Sequence, residues 1–336
     1  MTTTTVSTTA ALLHRAAMRA MRAPSIHNTQ PWKFVLREDA LEIWADRSRK
    51  LKVLDPRGRQ MMISLGCAVF HARVAIAAAG YEALVRRLPD SSHPDLIARI
   101  GIGRESHWAG SSALDMAIDH RRTNRRAFSN EPVPSKLITD LDYAARTEGA
   151  MLFPIVSPEH RHVVTELSAL ADKAERSDPA YVNEIAQWTT DDPRRTDGVQ
   201  AASVPYAGDG AEPHADPLPI RSFDVRGMGW LPPVTGSDGN QCLLLFCTHE
   251  DNARGWLRTG EALEHVWLRL TEQGFWASPL TQVIEVSRTN DRLRAELGLT
   301  THPEVLLRVG RAPETVPTRR RPANDVIIHA GVPDER

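Results

Sequence analysis

Two stretches of the chain, each twenty residues long, carry the same glycine spacing and a similar apolar pattern. One reads SLGCAVFHARVAIAAAGYEA over residues 64–83, and the other reads RTGEALEHVWLRLTEQGFWA over residues 258–277. Three pairs match at a single offset: Gly66 with Gly260, Gly80 with Gly274, and Ala83 with Ala277. Each stretch has a helical apolar period, a glycine typical of a helix C-cap, and then an aromatic residue that enters an extended segment. A chain that contains this unit twice is expected to fold as two related halves.

A second, shorter likeness follows each stretch. The segment IARIG ends at Gly101, and the segment LLRVG ends at Gly310. A chance likeness between two amphipathic helices is the alternative explanation, but the matched glycines and the matching strands after them favour duplication. We therefore predict a first half over residues 1–104 and a second half over residues 111–336, each with a helix, a strand, a long helix and a further strand.

Local signals predict the elements of both halves. The first helix, over residues 10–21, should end ahead of Pro24, because the residue before a proline is disfavoured in helical geometry. Strands are predicted at KFVL, LEIWA and IARIGIG, with a helix over residues 59–79. In the second half, helices are predicted to begin near Ser111, after Ser135, and at Ser157-Pro158 and Asp178-Pro179, where an N-cap residue precedes a proline. The apolar run CLLLFC over residues 242–247 predicts a buried strand.

The segment from residue 196 to residue 240 differs in composition from the rest of the second half. It is rich in Pro, Gly and Asp and has neither a helical nor a strand period. A loop of this length is usually either a functional cover or disordered. Its scattered apolar residues favour docking on the body of the protein: Tyr206, Phe223, Met228, Trp230 and Leu231. We treat it as a candidate lid.

Charge, cysteines and hydropathy narrow the class of protein. The chain has 336 residues and a formal net charge of −1, which argues against a general polyanion binder but allows a local phosphate site. Its three cysteines are odd in number and lack CxxC spacing, as expected in a reducing compartment. The N-terminus lacks the pattern of a signal peptide, and no apolar run is long enough to span a bilayer. These features predict a cytoplasmic protein with no membrane partner.

Arginines cluster at two places in the second half. The sequence HRRTNRRAF, over residues 120–128, follows a predicted short helix, and TRRRP occupies residues 318–322. Guanidinium groups match phosphate oxygens in geometry and charge, and Thr123 and Asn124 can add hydrogen bonds. The alternative for the first cluster is a solvated charged face. The second cluster could bind the same phosphate only if the fold brings it near.

The first cluster and an N-terminal segment together resemble a known family. APSIHNTQPWKF, over residues 23–34, resembles the APSxxNxQPWxF motif of nitroreductases, and RRTNRRAF followed by PVP resembles their RRSxRxF phosphate motif. Segments of the SLG, TNRR, GEAL and ASPL type resemble the Acg-like subgroup. This resemblance covers most of the chain and is weakest over residues 196–240. Nitroreductases are FMN-binding α+β homodimers with two sites at the interface. One subunit supplies the arginine motif and C-terminal basic residues, and its partner supplies the PSxxN segment.

The two motifs lie in different halves of this chain. The first half begins with threonines where an arginine motif would stand, and the second reads ARTEGAMLF where APSxxNxQPW would stand. The resemblance therefore implies a nitroreductase-like α+β fold duplicated within one chain, a fused pseudo-dimer that retains one complete FMN site. Because such a chain already contains the usual dimer interface, a monomer is expected.

The resemblance also implies which residues bind FMN. They are Pro24, Ser25, Ile26, Asn28 and Gln30; Arg121, Arg122, Thr123, Asn124 and Arg126; Pro279, Leu280, Thr281 and Gln282; and Arg319 and Arg321. Two registers of the arginine motif stay open, one with Arg121, Thr123 and Arg125 and the other with Arg122, Asn124 and Arg126. Arg320 is the C-terminal alternative under a one-residue shift. The family commonly has Glu-Gly where this chain has Thr281-Gln282, so Gln282 is expected to alter the donor near the reactive edge of the flavin.

Two functions follow from this site. The first is an NAD(P)H-dependent FMN oxidoreductase that reduces nitroaromatics or quinones, in which the flavin carries the chemistry and no protein catalytic residue is predicted. The alternative is a protein that stores or sequesters FMN beneath the candidate lid with little turnover. A nucleic-acid binder is disfavoured by the neutral net charge. His160 and His162 form an HxH pattern that reads as an exposed helix start, so no metal site is predicted.

Overall fold

The computed structural model describes residues 8–204, 218, 221–223 and 241–330. The first elements are α1 (Thr8–Ala20), β1 (Trp32–Leu36), β2 (Ala40–Ala45), α2 (Arg59–Ala78), β3 (Tyr81–Arg87) and β4 (Leu96–Glu105). The predicted helices and strands of this part are confirmed. Gly80 has φ +89°, a left-handed conformation that favours glycine and that turns the chain from α2 into β3.

The second part contains more elements. In chain order they are α3 (Ser111–Ile118), α4 (Ser135–Thr147), β5 (Met151–Pro154), α5 (Pro158–Arg176), α6 (Pro179–Gln187), β6 (Thr189–Thr190), β7 (Val199–Gln200), β8 (Cys242–Thr248), α7 (Ala253–Glu272), β9 (Trp276–Pro279), α8 (Gln282–Glu285), α9 (Ser287–Glu296), β10 (His302–Gly310), α10 (Ala323–Val326) and β11 (Ile327–His329). The predicted N-caps are confirmed, since Ser157 accepts a hydrogen bond from the His160 amide and Asp178 from the Ala180 amide.

Two larger sheets form the strand layers. The first has the order β11-β1-β2-β4-β3, and the second has the order β5-β8-β10-β9. Apart from β11, which pairs with β1 in parallel, every neighbouring pair in these two sheets is antiparallel. With β11 set aside, the two sheets arrange their strands in the same sequence order. The predicted α+β class is confirmed.

The long helices α2 and α7 pack against each other between the sheets. A Cβ atom built on Gly260 would lie 2.0 Å from the Ile63 carbonyl oxygen, and one built on Gly66 would lie 2.1 Å from the Leu257 carbonyl oxygen. Glycine at both positions therefore allows the two backbones to touch. By length and composition α2 could cross a membrane, but most of it is buried within the protein.

The C-terminal segment crosses from the second sheet to the first. After β10 it runs to β11, which adds to the edge of the first sheet through β1. On the way, the Arg321 amide donates to the Gln30 side-chain oxygen at 2.8 Å, and Arg320 donates to the Arg22 carbonyl oxygen at 3.1 Å. This crossing brings the C-terminal arginines beside the segment that follows α1.

Candidate functional site

The loop over residues 24–30 has an unusual backbone. His27, Asn28 and Gln30 have φ values of 45°, 53° and 50°, in the left-handed region that non-glycine residues rarely adopt. The Ser25 hydroxyl accepts a hydrogen bond from the Gln30 amide at 2.9 Å, and the Ser64 hydroxyl on α2 accepts one from the Ile26 amide at 3.0 Å. Backbone of this kind persists only where surrounding contacts hold it, and it clusters at functional sites.

Asn28 and Gln30 tie this loop to two distant segments. The side-chain amide of Asn28 donates hydrogen bonds to the carbonyl oxygens of Gly198, at 3.0 Å, and Arg319, at 3.1 Å. The side-chain amide of Gln30 donates a hydrogen bond to the Thr196 carbonyl oxygen at 2.9 Å. Asn28 and Gln30 thus join the loop to the start of segment 196–240 and to the C-terminal segment.

A large cleft lies between this loop, α2, α7 and the end of β9. It opens to solvent, and its empty space, with the open solvent at its mouth included, is about 810 Å³. Its lining residues are Pro24, Ser25, Ile26, His27, Gln60, Ile63, Ser64, Cys67, Thr123, Arg125, Arg221, Phe223, Leu263, Trp267, Ser278, Pro279, Leu280, Thr281, Gln282 and Val305. Three of the five predicted N-terminal-loop positions therefore line the cleft, and Asn28 and Gln30 do not. All four predicted positions from Pro279 to Gln282 line it.

A smaller cavity of about 410 Å³ adjoins the cleft. It is lined by Pro24, Ser25, His27, Asn28, Arg121, Thr123, Arg125, Val199, Ser203, Thr318 and Arg320. Five of these residues also line the large cleft, namely Pro24, Ser25, His27, Thr123 and Arg125. A ligand that extends through both spaces would pass these shared residues and would meet three arginines at its end.

Burial and neighbouring positive charges disfavour the charged forms of two arginines in the smaller cavity, Arg320 and Arg125. Burial, followed by the charge of Arg121, lowers the pKa of Arg320 to about 9. Burial and the charge of Arg221 lower the pKa of Arg125 to about 10. A nearby anion would favour the charged form of each group, so the cavity suits a phosphate or carboxylate.

Arg121 is held in place by residues of α7. Its Nε atom lies 3.0 Å from a carboxylate oxygen of Glu264, and its guanidinium lies 4.7 Å from the ring centroid of Trp267. The same Glu264 oxygen lies 2.7 Å from Nε2 of His71, whose Nδ1 lies 3.1 Å from the Arg19 carbonyl oxygen. The Nη1 atom of Arg121 is buried and has no hydrogen-bond partner within the described part of the chain. One edge of Arg121 is thus anchored, and a donor is left for a ligand.

The structure separates the two registers of the arginine motif. Arg121, Thr123 and Arg125 line the cavities. Asn124 is fully buried and donates to the Pro313 carbonyl oxygen at 2.8 Å. Neither cavity is lined by Arg122 or by the exposed Arg126. The first register is the one that faces the site.

The C-terminal arginines follow the shifted register. Arg320 lines the smaller cavity, whereas Arg319 and Arg321 do not. The Arg319 guanidinium donates to the Asp192 carbonyl oxygen at 3.2 Å, and that of Arg321 donates to the Gln30 carbonyl oxygen at 3.3 Å. Arg319 and Arg321 therefore fasten the segment that presents Arg320.

Among the described residues of segment 196–240, Arg221 and Phe223 line the large cleft. Arg221 pairs with Glu285 of α8 and lies 3.6 Å from Glu175 of α5. Burial, and then the neighbouring charge of Glu285, raise the pKa of Glu175 to about 7, although Arg221 opposes this. The remaining residues proposed for docking, Tyr206, Met228, Trp230 and Leu231, lie outside the described residues.

Gln282 faces this acidic group. Its side-chain amide donates to Asp172 at 3.1 Å and to Glu175 at 2.8 Å. Both N–H bonds are thereby engaged by α5, although the residue also lines the cleft. The thiol of Cys67, also in the cleft, donates to the Gly260 carbonyl oxygen at 3.3 Å, and burial raises its pKa, so it is not an activated nucleophile.

Sequence reasoning missed several cleft residues. Gln60 and Ser64 lie on α2, and Trp267 lies on α7, inside helical patterns that otherwise indicate only core packing. Arg221 lies in a segment that has no helical or strand period. Its only sequence signal is its position two residues before Phe223, which is predicted to dock on the body of the protein. Within the described ranges, no three His, Cys, Asp or Glu side chains cluster as possible metal ligands.

The fold and the site define a class of α+β protein in which a cleft between two central helices continues into an arginine-lined cavity. No protein-family model matches the chain. The protein of Mycobacterium tuberculosis named "Putative NAD(P)H nitroreductase Rv3131" is 34% identical over 313 residues, which cover 92% of this chain and 88% of that protein. "Putative NAD(P)H nitroreductase acg" of the same organism is 29% identical over 339 residues, which cover 97% of each chain. The chain belongs to the nitroreductase family, together with Acg and its homologues.

Solved structures give more distant likenesses. The FMN and NADPH-dependent nitroreductase NfnB, from strain HMH of "sphigopyxis sp.", is 17% identical, with a TM-score of 0.42 over 65% of this chain and 99% of that chain. A nitroreductase with bound FMN from Desulfitobacterium hafniense is 12% identical, with a TM-score of 0.40 over 63% of this chain and 95% of that chain.

Proposed function

We propose that the chain binds one FMN in the two connected spaces and uses it as an NAD(P)H-dependent oxidoreductase that reduces nitroaromatics or quinones. The observation that carries this proposal is that the large cleft shares five lining residues with the cavity lined by Arg121, Arg125 and Arg320. Membership of a family whose relatives carry the name "Putative NAD(P)H nitroreductase" supports the reaction class. Bound FMN would supply the electron transfer itself.

The residues present fit FMN. Within the described part of the chain, the buried Nη1 donor of Arg121 has no partner, and Arg320 lines the same cavity, where burial and the charge of Arg121 lower its pKa. These arginines would hold the phosphate, with Thr123 beside them. Ile63, Leu263 and Trp267 offer the large cleft the apolar contacts that a flat ring requires. Ser25, Ile26 and Pro279–Gln282 would flank the ring, and Asn28 would position Arg320.

We also propose that the fold arose by duplication, as a fused pseudo-dimer with halves over residues 1–104 and 111–336. The shared strand order of the two sheets and the contact between Gly66 and Gly260 support this origin. At the offset that pairs these glycines, α2 and α7 begin and end at matching positions. The expected consequences are a monomer and a single cofactor site.

A buried group of ion pairs supports the single site. At the same offset, Cys67, Ser64, Trp267 and Thr281 of the cleft correspond to Glu261, Arg258, Arg73 and Arg87. Arg73 bonds Glu261 at 2.7 Å and Glu148 at 2.5 Å, and Arg87 bonds Glu261 at 2.5 Å. Where the second ring would have to lie, the chain therefore carries charged side chains that bind one another. We call this group the ion-pair cluster.

FMN sequestration is the second candidate function. It is favoured by one observation, that Arg221 and Phe223 of segment 196–240 line the large cleft. If the rest of this segment covers the bound flavin, nicotinamide cannot reach the ring. Gln282, which stands where the family commonly has the glycine of Glu-Gly, donates hydrogen bonds to Asp172 and Glu175, so this edge of the site differs from that of the family.

One experiment tests both candidates. The protein is saturated with FMN, its FMN-to-chain ratio is measured, and the flavin absorbance is followed anaerobically during addition of NADPH and NADH, with dithionite as the control reductant. A ratio near one and rapid bleaching by a nicotinamide are expected for the oxidoreductase. Bleaching by dithionite alone would support sequestration, and failure to bind FMN would refute the proposal.

A further inference from the structure

His27 stands where the large cleft and the smaller cavity meet. It is 6% exposed, lines both spaces and has φ 45°. Its Nε2 atom lies 2.7 Å from Nη1 of Arg221. Its Nδ1 atom is buried and has no hydrogen-bond partner within the described part of the chain.

The contact with Arg221 determines which nitrogen of His27 carries the proton. A guanidinium group only donates hydrogen bonds, so Nε2 of His27 accepts and is unprotonated. Burial, followed by the charges of Arg221 and Arg125, lowers the pKa of His27 well below its ordinary value. The ring is therefore neutral near pH 7, and Nδ1 carries its single proton.

Other contacts fix the direction in which that proton points. Arg221 is itself held by Glu285, and the ring of Phe223 packs edge-on against His27 with centroids 5.5 Å apart. The guanidinium of Arg125 lies 5.0 Å from the centroid of Phe223. Residues of segment 196–240 thus orient an imidazole that belongs to the loop over residues 24–30.

We propose that the Nδ1–H group of His27 donates a hydrogen bond to bound FMN at the junction of the two cavities, and that Arg221 is the positioning residue that sets this tautomer. A buried donor without an acceptor costs free energy, and a ligand atom would remove that cost. The junction assigns the donor to the molecule that extends through both spaces, rather than to an acceptor substrate confined to the cleft. This inference rests on the proposed FMN site.

A matched pair of variants isolates the donor. Glycine and asparagine both tolerate the left-handed backbone of His27, but only asparagine has a side-chain N–H. Removing one neutral hydrogen bond is expected to weaken FMN binding roughly three- to tenfold in His27→Gly. We expect His27→Asn to recover much of the lost affinity, because its amide restores a donor. FMN affinity is measured by fluorescence titration of the apoprotein.

Nitrogen NMR of the unaltered protein tests the tautomer without relying on a variant. In protein labelled with ¹⁵N-histidine, the His27 signals, assigned by their loss in His27→Asn, should show a protonated Nδ1 and an unprotonated Nε2. Addition of FMN should shift the Nδ1 proton. In Arg221→Leu, the fixed tautomer should give way to a mixture, whereas Arg221→Lys should preserve it because lysine also donates.

The outcomes separate this inference from the proposed function. If the unaltered protein does not bind FMN, the proposed function fails. If it binds FMN but His27→Gly retains full affinity and the Nδ1 proton does not move, only the role of His27 is refuted. A shift of that proton on addition of a nitroaromatic, but not on addition of FMN, would assign the donor to the acceptor substrate and overturn the proposal.

Discussion

Replacing Glu261 with glutamine is expected to destabilise the chain without affecting the FMN site. The carboxylate is fully buried and accepts hydrogen bonds from Arg73 at 2.7 Å and from Arg87 at 2.5 and 2.7 Å. Glutamine would turn an NH₂ group toward these donors. It would also remove the negative charge of Glu261 and leave Glu148 as the remaining carboxylate that pairs with Arg73. The two arginines, which are only partly exposed, would then lack part of their counter-charge.

The magnitude follows from the burial of the pairs. Breaking a buried ion pair by removing one partner costs about 3–5 kcal/mol, which corresponds to a fall in Tm of roughly 6–15 °C at about 2–3 °C per kcal/mol for a chain of this size. Differential scanning calorimetry of the apoprotein measures the change. FMN retention at 25 °C should be unaltered, because Glu261 lines neither the cleft nor the smaller cavity.

Glu272→Gln is the matched control, on the same helix with the same change. Glu272 is exposed and pairs with Arg269 at 3.3 Å, so its loss should change stability by at most about 0.5 kcal/mol. Equal Tm values for Glu261→Gln and Glu272→Gln would refute the idea that the ion-pair cluster stabilises the fold. Loss of FMN from Glu261→Gln alone, at unchanged Tm, would contradict its separation from the site.

Three further predictions rest on single contacts. Arg121→Gln should weaken FMN binding roughly 10- to 150-fold in fluorescence titration, whereas Arg122→Gln should have little effect; the reverse order would refute the register. Gly260→Ala should lower the free energy of unfolding in urea by about 1–3 kcal/mol or more, because its Cβ would lie 2.0 Å from a carbonyl oxygen, while Gly101→Ala, with contacts no closer than 3.7 Å, should not. Burial raises the pKa of Glu304 to about 8, so the folded state holds this proton more tightly than the unfolded state. The free energy of unfolding should therefore fall by about 1.4 kcal/mol per pH unit as the pH rises from 4.5 to 8. Glu304→Gln should remove that part of the slope, and identical urea profiles for both proteins over this range would refute the assignment.

Features encoded by neighbouring residues could be predicted from the sequence. The end of α1 before Pro24, the N-caps Ser157 and Asp178, and the helical period of α2 all depend on residues within a few positions of one another. For the same reason the loop over residues 24–30 could be recognised by its motif. Its left-handed backbone at His27 could not, because distant contacts rather than local preference hold it there.

Features that depend on residues far apart in the chain could not be predicted in detail. β11 pairs with β1 across almost the whole length of the chain. In the segment before β11, Arg320 lines the smaller cavity, whereas Arg319 and Arg321 do not. Gln282 is expected to alter the donor near the reactive edge of the flavin, and its sequence position does not show that its amide donates to Asp172 and Glu175 of α5. Motif matching finds the segment that contributes to a site, whereas packing determines which of its side chains point inward.

If the chain arose by the proposed duplication, fusion explains the asymmetry of the α2–α7 interface. Charged residues can occupy one half of this interface while the other half forms a cleft. In a homodimer, a substitution that places a charge at one site places it at both, so Glu261 could not arise without its counterpart replacing Cys67. Within one chain the two positions vary independently, and glutamate can pair with Arg73 and Arg87 while the cleft keeps a thiol. The same freedom allows segment 196–240 to add Arg221 on one side only, so the pairing of His27 with Arg221 is available to a fused chain at its single site.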